Sequence, residues 1–168
     1  MSESESLVFQ SDEFEQARQF IYKKAIDLLS RREHSREELA QKLRLKSSAS
    51  DEILDALLPE LLDGLSDQGY LSDERYAEMV IRSRFAKGQG PIRIRLELKQ
   101  KGIDAAIINS NFDEFDADWF ELAAITQRKR FGDRPLDLPA RAKQMRFLAS
   151  RGFCSEHIEY ALSSSTDD

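Results

Sequence analysis

The stretch that decides the fold runs from Leu65 to Ile103 and reads LSDQGYLSDERYAEMVIRSRFAKGQGPIRIRLELKQKGI. Gly69 followed by an apolar residue is typical of a helix end, because glycine takes the left-handed conformation after a helix at little cost. Ser72 can then cap a new helix. Asp73 and Glu74 would stand in its first turn, where the helix dipole favours negative charge. One helix therefore ends, and a second begins, within this stretch.

The helix after Ser72 is predicted to be both buried and basic. Its apolar residues recur at helical spacing, at Tyr76, Ala77, Val80, Ile81 and Phe85. Arg75, Arg82 and Arg84 fall at or beside the edges of that apolar face, so their charges can stay exposed.

Residues 92–98 carry a conflicting pattern, because apolar residues alternate with charged ones, and strict alternation is typical of a strand. Three features favour a helix instead. Pro91 stands where a first helical residue belongs, the segment is rich in good helix formers, and Gly102-Ile103 repeats the helix stop. We interpret the segment as a helix and keep the strand as the alternative.

Elsewhere the chain reads as short helices. A first helix is expected from Asp12 to Arg32, after an acidic and disordered tail at residues 1–12, and Ser35 opens the next helix with a capping box. Pro59 should break a continuous helix, so a main helix is expected only from Pro59 to Gln68. Asp104 is predicted to cap a short helix, followed by a loop over residues 109–116 and a capping box at Asp118.

Internal repeats determine the predicted architecture. Gly102 and Gly152 stand 50 residues apart, each followed by an apolar residue, and Arg82 and Arg84 recur as Arg128 and Arg130. The expected fold is therefore all-α, with three tandem three-helix repeats forming an elongated, curved array. The predicted boundaries are residues 13–71, 72–115 and 116–163, with a polar tail at 164–168.

The charge pattern indicates a binding protein more than a catalyst. The net charge is −6, but residues 75–101 hold eight basic and two acidic residues, and residues 128–151 hold the same numbers. Such blocks are either solvated faces or a basic surface for phosphates or an acidic protein groove. The candidate partner-binding residues are Arg75, Arg82, Arg84, Lys87, Arg93, Arg95, Lys99, Lys101, Arg128 and Arg130.

Groups for catalysis or metal binding are sparse. Cys154 is the single cysteine, which excludes an internal disulfide, and His34 and His157 lack ligand spacing. Gly88-Gln89-Gly90 does not match a phosphate-binding loop, because Pro91 removes an N–H that such a loop needs. We predict no enzyme, no cofactor and no metal. The absence of a long apolar run or signal-like start predicts no membrane span and a cytoplasmic location.

The central stretch also resembles the signature of the RecX regulatory proteins. The residues that carry the resemblance are Gly69-Tyr70-Leu71, Asp73, Arg75-Tyr76-Ala77, Lys87 to Pro91, Arg93-Ile94-Arg95, Glu97-Leu98 and Lys101-Gly102-Ile103. His34-Ser35, Glu38-Leu39 and Lys42-Leu43 are similar to the family's first-repeat motif. Arg146-Phe147-Leu148 and Arg151-Gly152-Phe153 are similar to its third-repeat motif.

That resemblance implies a partner. RecX proteins are all-helical and bind RecA recombinase in the groove of its filament on single-stranded DNA, where they suppress filament growth, strand exchange and co-protease activity. By similarity we expect a non-enzymatic, monomeric modulator of recombinational repair and the SOS response. The alternative is a helical module that regulates repair by occupying single-stranded DNA. The residues leave a weak direct contact with DNA open.

Overall fold

The computed structural model describes residues 3–163, with side chains described from residue 10 onward. Within that range the chain forms nine α-helices and no strand, which confirms the all-α prediction. The helices are α1 Glu3–Arg31, α2 Arg36–Lys46, α3 Asp51–Asp67, α4 Asp73–Ala86, α5 Pro91–Gln100, α6 Ala105–Glu114, α7 Trp119–Phe131, α8 Leu138–Ser150 and α9 Ser155–Ser163. None of these helices offers the length of apolar chain that a bilayer crossing needs. The polar tail predicted at 164–168 lies outside the described residues.

Residues 1–76 form the first of two compact units. Its core joins the apolar faces of α1, α2 and α3. The fully buried members are Ile21, Ala25, Leu39, Leu43, Leu54, Leu57, Leu58, Leu62, Leu65 and Leu71. Ser35 caps α2 by accepting a hydrogen bond from the Glu38 backbone N–H at 3.0 Å, as the capping-box pattern predicts.

The described residues from 77 to 163 belong to the second compact unit. One core cluster there lies between α7, α8 and α9. Its buried members are Leu122, Ala123, Ala124, Leu148, Phe153, Ile158, Ala161 and Leu162. Asp118 accepts a hydrogen bond from the Glu121 backbone N–H at 3.0 Å, which caps α7 as predicted.

The alternating segment is helical in the structure. Ile94 and Leu98 in α5 are completely buried, whereas Ile92 and Leu96 are each 54% exposed. Burial therefore follows a spacing of four residues, as in a helix, and not the spacing of two that a half-buried strand requires. Pro91 is the first residue of α5, where its missing N–H costs nothing.

Pro59 does not break α3, so the predicted helix start at Pro59 was wrong. The helix runs without interruption from Asp51 to Asp67. Pro59 and Asp55 both face solvent, so water can bond the Asp55 carbonyl that would otherwise accept the missing N–H. The buried leucines on the opposite face hold the two halves of the helix in line.

Two further expectations are corrected. α1 begins at Glu3, so residues 3–12 are helical where the sequence predicted a disordered tail. α6 continues to Glu114, through most of the predicted loop at 109–116. The reason is Phe112, which is buried one helical turn beyond Ile108. Asp104 precedes α6 as predicted but makes no capping hydrogen bond through its side chain.

A close backbone contact joins the turn before α5 to the turn after α8. The Gly90 N–H donates to the Arg151 carbonyl at 2.7 Å, and the Ile92 N–H donates to the Gly152 carbonyl at 3.0 Å. A Cβ on Gly90 would lie 2.4 Å from the Gly152 carbonyl carbon, and a Cβ on Gly152 would lie 2.4 Å from the Arg93 Cβ. Only glycine fits at either position.

Candidate partner-binding surface

Lys87, exposed just beyond the end of α4, lies where two basic clefts of the second unit meet. The first, which we call the α5 cleft, has a volume of about 530 Å³ and is lined by Lys87, Arg84, Arg93 and residues along α5. Arg93 also donates a hydrogen bond to the Ser150 carbonyl at 3.3 Å. Three of the predicted partner-binding residues therefore converge here.

The second cleft, which we call the α7 cleft, has a volume of about 270 Å³. Its cationic residues are Lys87, Lys129, Arg130 and Arg151. Its other lining residues are Ala86, Gly88, Leu122, Ile125, Thr126 and Phe147. No carboxylate is among the residues that line it, so the cleft is a concentration of positive charge on a protein that is acidic overall.

Arg84 is engaged within the fold. Its guanidinium donates two hydrogen bonds to the Glu97 carboxylate, at 2.7 and 2.8 Å, and so links α4 to α5. These bonds from Arg84, which outweigh the opposing effect of burial, lower the pKa of Glu97. The pair is only about one quarter exposed on each side. Arg84 therefore helps to shape the α5 cleft, and Glu97, which lines the same cleft, balances its charge.

Arg82 and Arg95 lie against α6 and do not line either basic cleft. Arg95 donates to the Asn109 side-chain oxygen at 2.7 Å, and its guanidinium lies 4.1 Å from the ring centroid of Phe112. Arg82 pairs with Glu78 at 3.1 Å, with its guanidinium 5.8 Å from the ring centroid of Phe115. Arg84 and Arg93 thus line the α5 cleft, whereas Arg82 and Arg95 lie outside it.

The remaining predicted residues are dispersed. Arg75 lies in the first unit, where it pairs with Glu33 at 2.9 Å and donates to the Gly69 carbonyl at 2.7 Å. Arg128 pairs with Glu121 at 2.9 Å. Lys99 is exposed near the end of α5 and Lys101 is half-buried just after it.

Sequence reasoning missed Lys129 and Arg151, which complete the α7 cleft with Lys87 and Arg130. A signal was present for both. Lys129 sits between two predicted residues, and Arg151 holds the position in the third repeat that Lys101 holds in the second. Neither signal shows by itself that the end of α4 meets the ends of α7 and α8.

A histidine side chain is buried in the first unit. His34 is 2% exposed; its Nδ1 lies 3.0 Å from the Arg32 carbonyl and its Nε2 lies 3.3 Å from the Lys42 Nζ. Because a carbonyl only accepts and an ammonium only donates, these contacts require Nδ1–H and a bare Nε2. Burial, followed by the charge of Arg32, lowers the pKa of His34. Glu38, paired with Arg32 at 2.7 Å, opposes that shift. The neutral ring is therefore part of the core.

The described residues offer little for catalysis. Within residues 10–163, no three His, Cys, Asp or Glu side chains are grouped so that they could hold a metal ion. His157 contacts the rings of Phe120 and Phe153, and Cys154 is half-buried. What the arrangement can do is bind anionic groups in two adjoining clefts.

Comparison with known proteins identifies the family. Models of three RecX domains match in order: the first three-helix domain over residues 22–57, the second over residues 72–110 and the third over residues 116–162. The chain belongs to the RecX family. These matches also confirm the tandem-repeat prediction.

The sequences of RecX proteins from other organisms match most of this chain. The regulatory protein RecX of Pseudomonas entomophila is 46% identical over 140 residues, which cover 83% of this chain and 87% of the relative. The regulatory protein RecX of Vibrio vulnificus is 45% identical, covering 83% of this chain and 88% of the relative.

Crystal structures of RecX proteins share the fold. RecX from Lactobacillus salivarius superposes with a TM-score of 0.68 at 22% identity, covering 90% of this chain and 95% of that one. A second structure of a regulatory protein RecX gives a TM-score of 0.73 at 23% identity, covering 98% of this chain and 80% of that one.

Proposed function

We propose that this chain is a non-enzymatic regulator that binds the filament of RecA recombinase on single-stranded DNA. Bound there, it inhibits filament growth, strand exchange and co-protease activity, and so modulates recombinational repair and the SOS response in the cytoplasm. The observation that carries the proposal is membership of the RecX family across all three three-helix domains. In this proposal the repeats span residues 13–71, 72–115 and 116–163, and the protein acts as a monomer.

The basic clefts of the second unit support a binding role. They combine cations from α4, α5, α7 and α8, which a single helix could not present together. A surface of this kind accelerates encounters with an acidic partner and orients it.

The alternative function is a single-stranded DNA-binding module. The cluster of cations in the α7 cleft is the observation that favours this alternative. Nonspecific binders of single strands stack bases on exposed aromatic rings. Here Phe147 contacts Phe131 edge-to-face at 5.3 Å, and Phe85 makes similar contacts with Phe115 and Trp119 at 5.3 Å. These rings are engaged with one another, which weighs against a stacking platform.

The decisive experiment measures the ATPase activity of RecA on single-stranded DNA while the protein is titrated in. We expect inhibition near stoichiometric ratios, both on growing filaments and when the protein is added before nucleation. Binding to RecA should also be measured without DNA. Inhibition that disappears when single-stranded DNA is in excess, together with no affinity for RecA alone, would favour the DNA-binding alternative. No effect at stoichiometric protein would contradict both.

A further inference from the structure

The α7 cleft holds four cations that have no ion-pair partner among the residues whose side chains are described. Among residues 10–163, no carboxylate lies within 4.0 Å of the charged atoms of Lys87, Lys129, Arg130 or Arg151. Half of the other arginines of the second unit differ: Arg128 and Arg141, for example, pair with Glu121 and Glu159. Like charges that share a cleft repel one another, so an anion bound there would relieve the repulsion.

Two of these cations are held in position by an aromatic ring. The guanidinium groups of Arg130 and Arg151 lie 5.9 and 5.2 Å from the ring centroid of Phe147, and Arg130 also lies 5.4 Å from that of Phe131. Stacking restrains an arginine while leaving its N–H groups free for a ligand. Less side-chain entropy is then lost when a carboxylate binds with two parallel hydrogen bonds.

The inner lining of the cleft is apolar. Leu122, Ile125 and Phe147 contribute to it, beside the hydroxyl of Thr126, which already donates to the Leu122 carbonyl at 2.7 Å. A volume of about 270 Å³ suits one or two side chains. A ligand that binds both the cations of the cleft and its apolar lining carries a carboxylate next to an aliphatic group.

We propose that the α7 cleft binds a carboxylate side chain and a neighbouring aliphatic side chain from an acidic segment of the partner protein. Under the proposed function, on which this last step rests, that protein is a protomer of the RecA filament. A protein carboxylate fits better than a nucleic-acid phosphate because Arg130 and Arg151 lie over the Phe147 ring, where a base would have to stack.

The first test uses the full chain labelled with ¹⁵N and three probes: the peptide acetyl-Glu-Leu-Asp-Leu-amide, inorganic phosphate and oligo(dT). We expect the peptide to shift the amide resonances of Gly88, Thr126 and Arg151 in a saturable way. Shifts of the same amides with phosphate or oligo(dT), but not with the peptide, would overturn the carboxylate assignment. No shift with any probe would overturn the site.

Charge reversal inside and outside the α7 cleft tests whether peptide binding depends on this cleft. Lys87→Glu with Lys129→Glu should weaken peptide binding by about tenfold or more, because two attractions become repulsions. Lys143→Glu with Arg146→Glu makes the same change at exposed positions of α8 outside the cleft lining, and should alter affinity by less than about twofold. Equal losses in both pairs would contradict a specific cleft. The milder pair Lys87→Gln with Lys129→Gln gives the same comparison if the reversed protein melts early.

The second test measures affinity of the same variants for RecA filaments. We expect the Lys87 and Lys129 reversal to weaken filament binding by about tenfold or more and the α8 pair to leave it unchanged. Unchanged binding by the cleft variant would overturn the assignment of the partner. If the unaltered protein binds no filament, the proposed function fails, and the peptide titration still decides the chemistry of the cleft.

Discussion

Arginine and histidine side chains connect helices in both units, and their pairing decides which charges remain for a partner. Arg84 is committed to Glu97 and Arg75 to Glu33, whereas Lys87 and Lys129 are exposed and have no carboxylate within 4.0 Å in the part of the chain whose side chains are described. The number of cations in a segment is therefore a poor guide to its binding charge. Their partners within the fold decide it.

His34 makes the stability of the first unit depend on pH. Burial, aided by Arg32, lowers its pKa in the folded chain, so below the unfolded value of about 6.5 the unfolded chain binds the proton more readily. The stability contributed by the neutral ring is complete above that pH and is lost as the pH falls toward the lower folded pKa. We expect urea unfolding to show declining stability below about pH 6.5.

The effect of His34 on the pH dependence of stability is measured in a His157→Gln background. Burial also lowers the pKa of His157, which adds a second loss of stability as the pH falls. Adding His34→Gln should flatten the pH dependence further, although it costs stability at neutral pH. An identical pH profile with and without His34 would show that the ring does not remain neutral in the folded chain.

A comparison of Gly152 with Gly132 distinguishes the free-energy cost of a steric collision from that of backbone strain. Both have positive φ, 95° and 74°, but a Cβ would collide with Arg93 at Gly152 and would meet nothing within 4 Å at Gly132. Gly132→Ala should cost about 1–2 kcal/mol of unfolding free energy from its backbone conformation alone, since φ 74° with ψ −73° is a combination that residues with a Cβ rarely adopt. Gly152→Ala should cost about 3 kcal/mol or more, because backbone atoms must also shift. Urea denaturation measures both, and equal costs would contradict the tight contact.

At the scale of helices, α3 and α5 show two consequences of proline. Pro59 lies inside α3 and Pro91 opens α5. Pro59→Ala restores an N–H that can bond the Asp55 carbonyl, and should stabilise the protein by about 1–3 kcal/mol. Pro91→Ala should change the unfolding free energy by less than about 1 kcal/mol, because a first-turn N–H has no helical partner. A destabilising Pro59→Ala in thermal unfolding would indicate that α3 depends on the proline.

Helix type was predictable from local sequence, whereas some boundaries depend on packing. The glycine stops and the proline start favoured α5 as a helix against its strand-like alternation. For α6, Phe112 follows Ile108 at the spacing of one turn, and this signal was outweighed by the polar residues around it. The continuity of α3 through Pro59 was not predictable locally, since it depends on leucines buried against α1 and α2.

At the scale of the molecule, the distribution of charge matters more than its sum. Asp113→Lys with Glu114→Lys raises the net charge from −6 by four units at exposed positions of α6 outside both basic clefts. If net charge governed the interaction, filament affinity would rise and its salt dependence would steepen. We expect affinity to change by less than about twofold. A clear gain, measured at two ionic strengths, would contradict the local model.

The two basic clefts could be predicted only in part for a related reason. Lys87, Arg93 and Arg130 were candidates because they lie in the basic blocks of the sequence. Their grouping was not predicted, since Lys87 belongs to the second repeat and Lys129 to the third. Residues that meet across two repeats come together through packing over long sequence separations, which no local pattern records.

The backbone contact between Gly90 and Gly152 has a consequence for synthesis on the ribosome. The first N–H groups of α5 are bonded to carbonyls that follow 60 or more residues later in the chain. At a translation rate of about 5–20 residues per second, the start of α5 waits roughly 3–12 s for these partners. During that interval its N–H groups must be solvated by water. The start of α5 therefore gains these two hydrogen bonds only when Arg151 and Gly152 of the third repeat have been made.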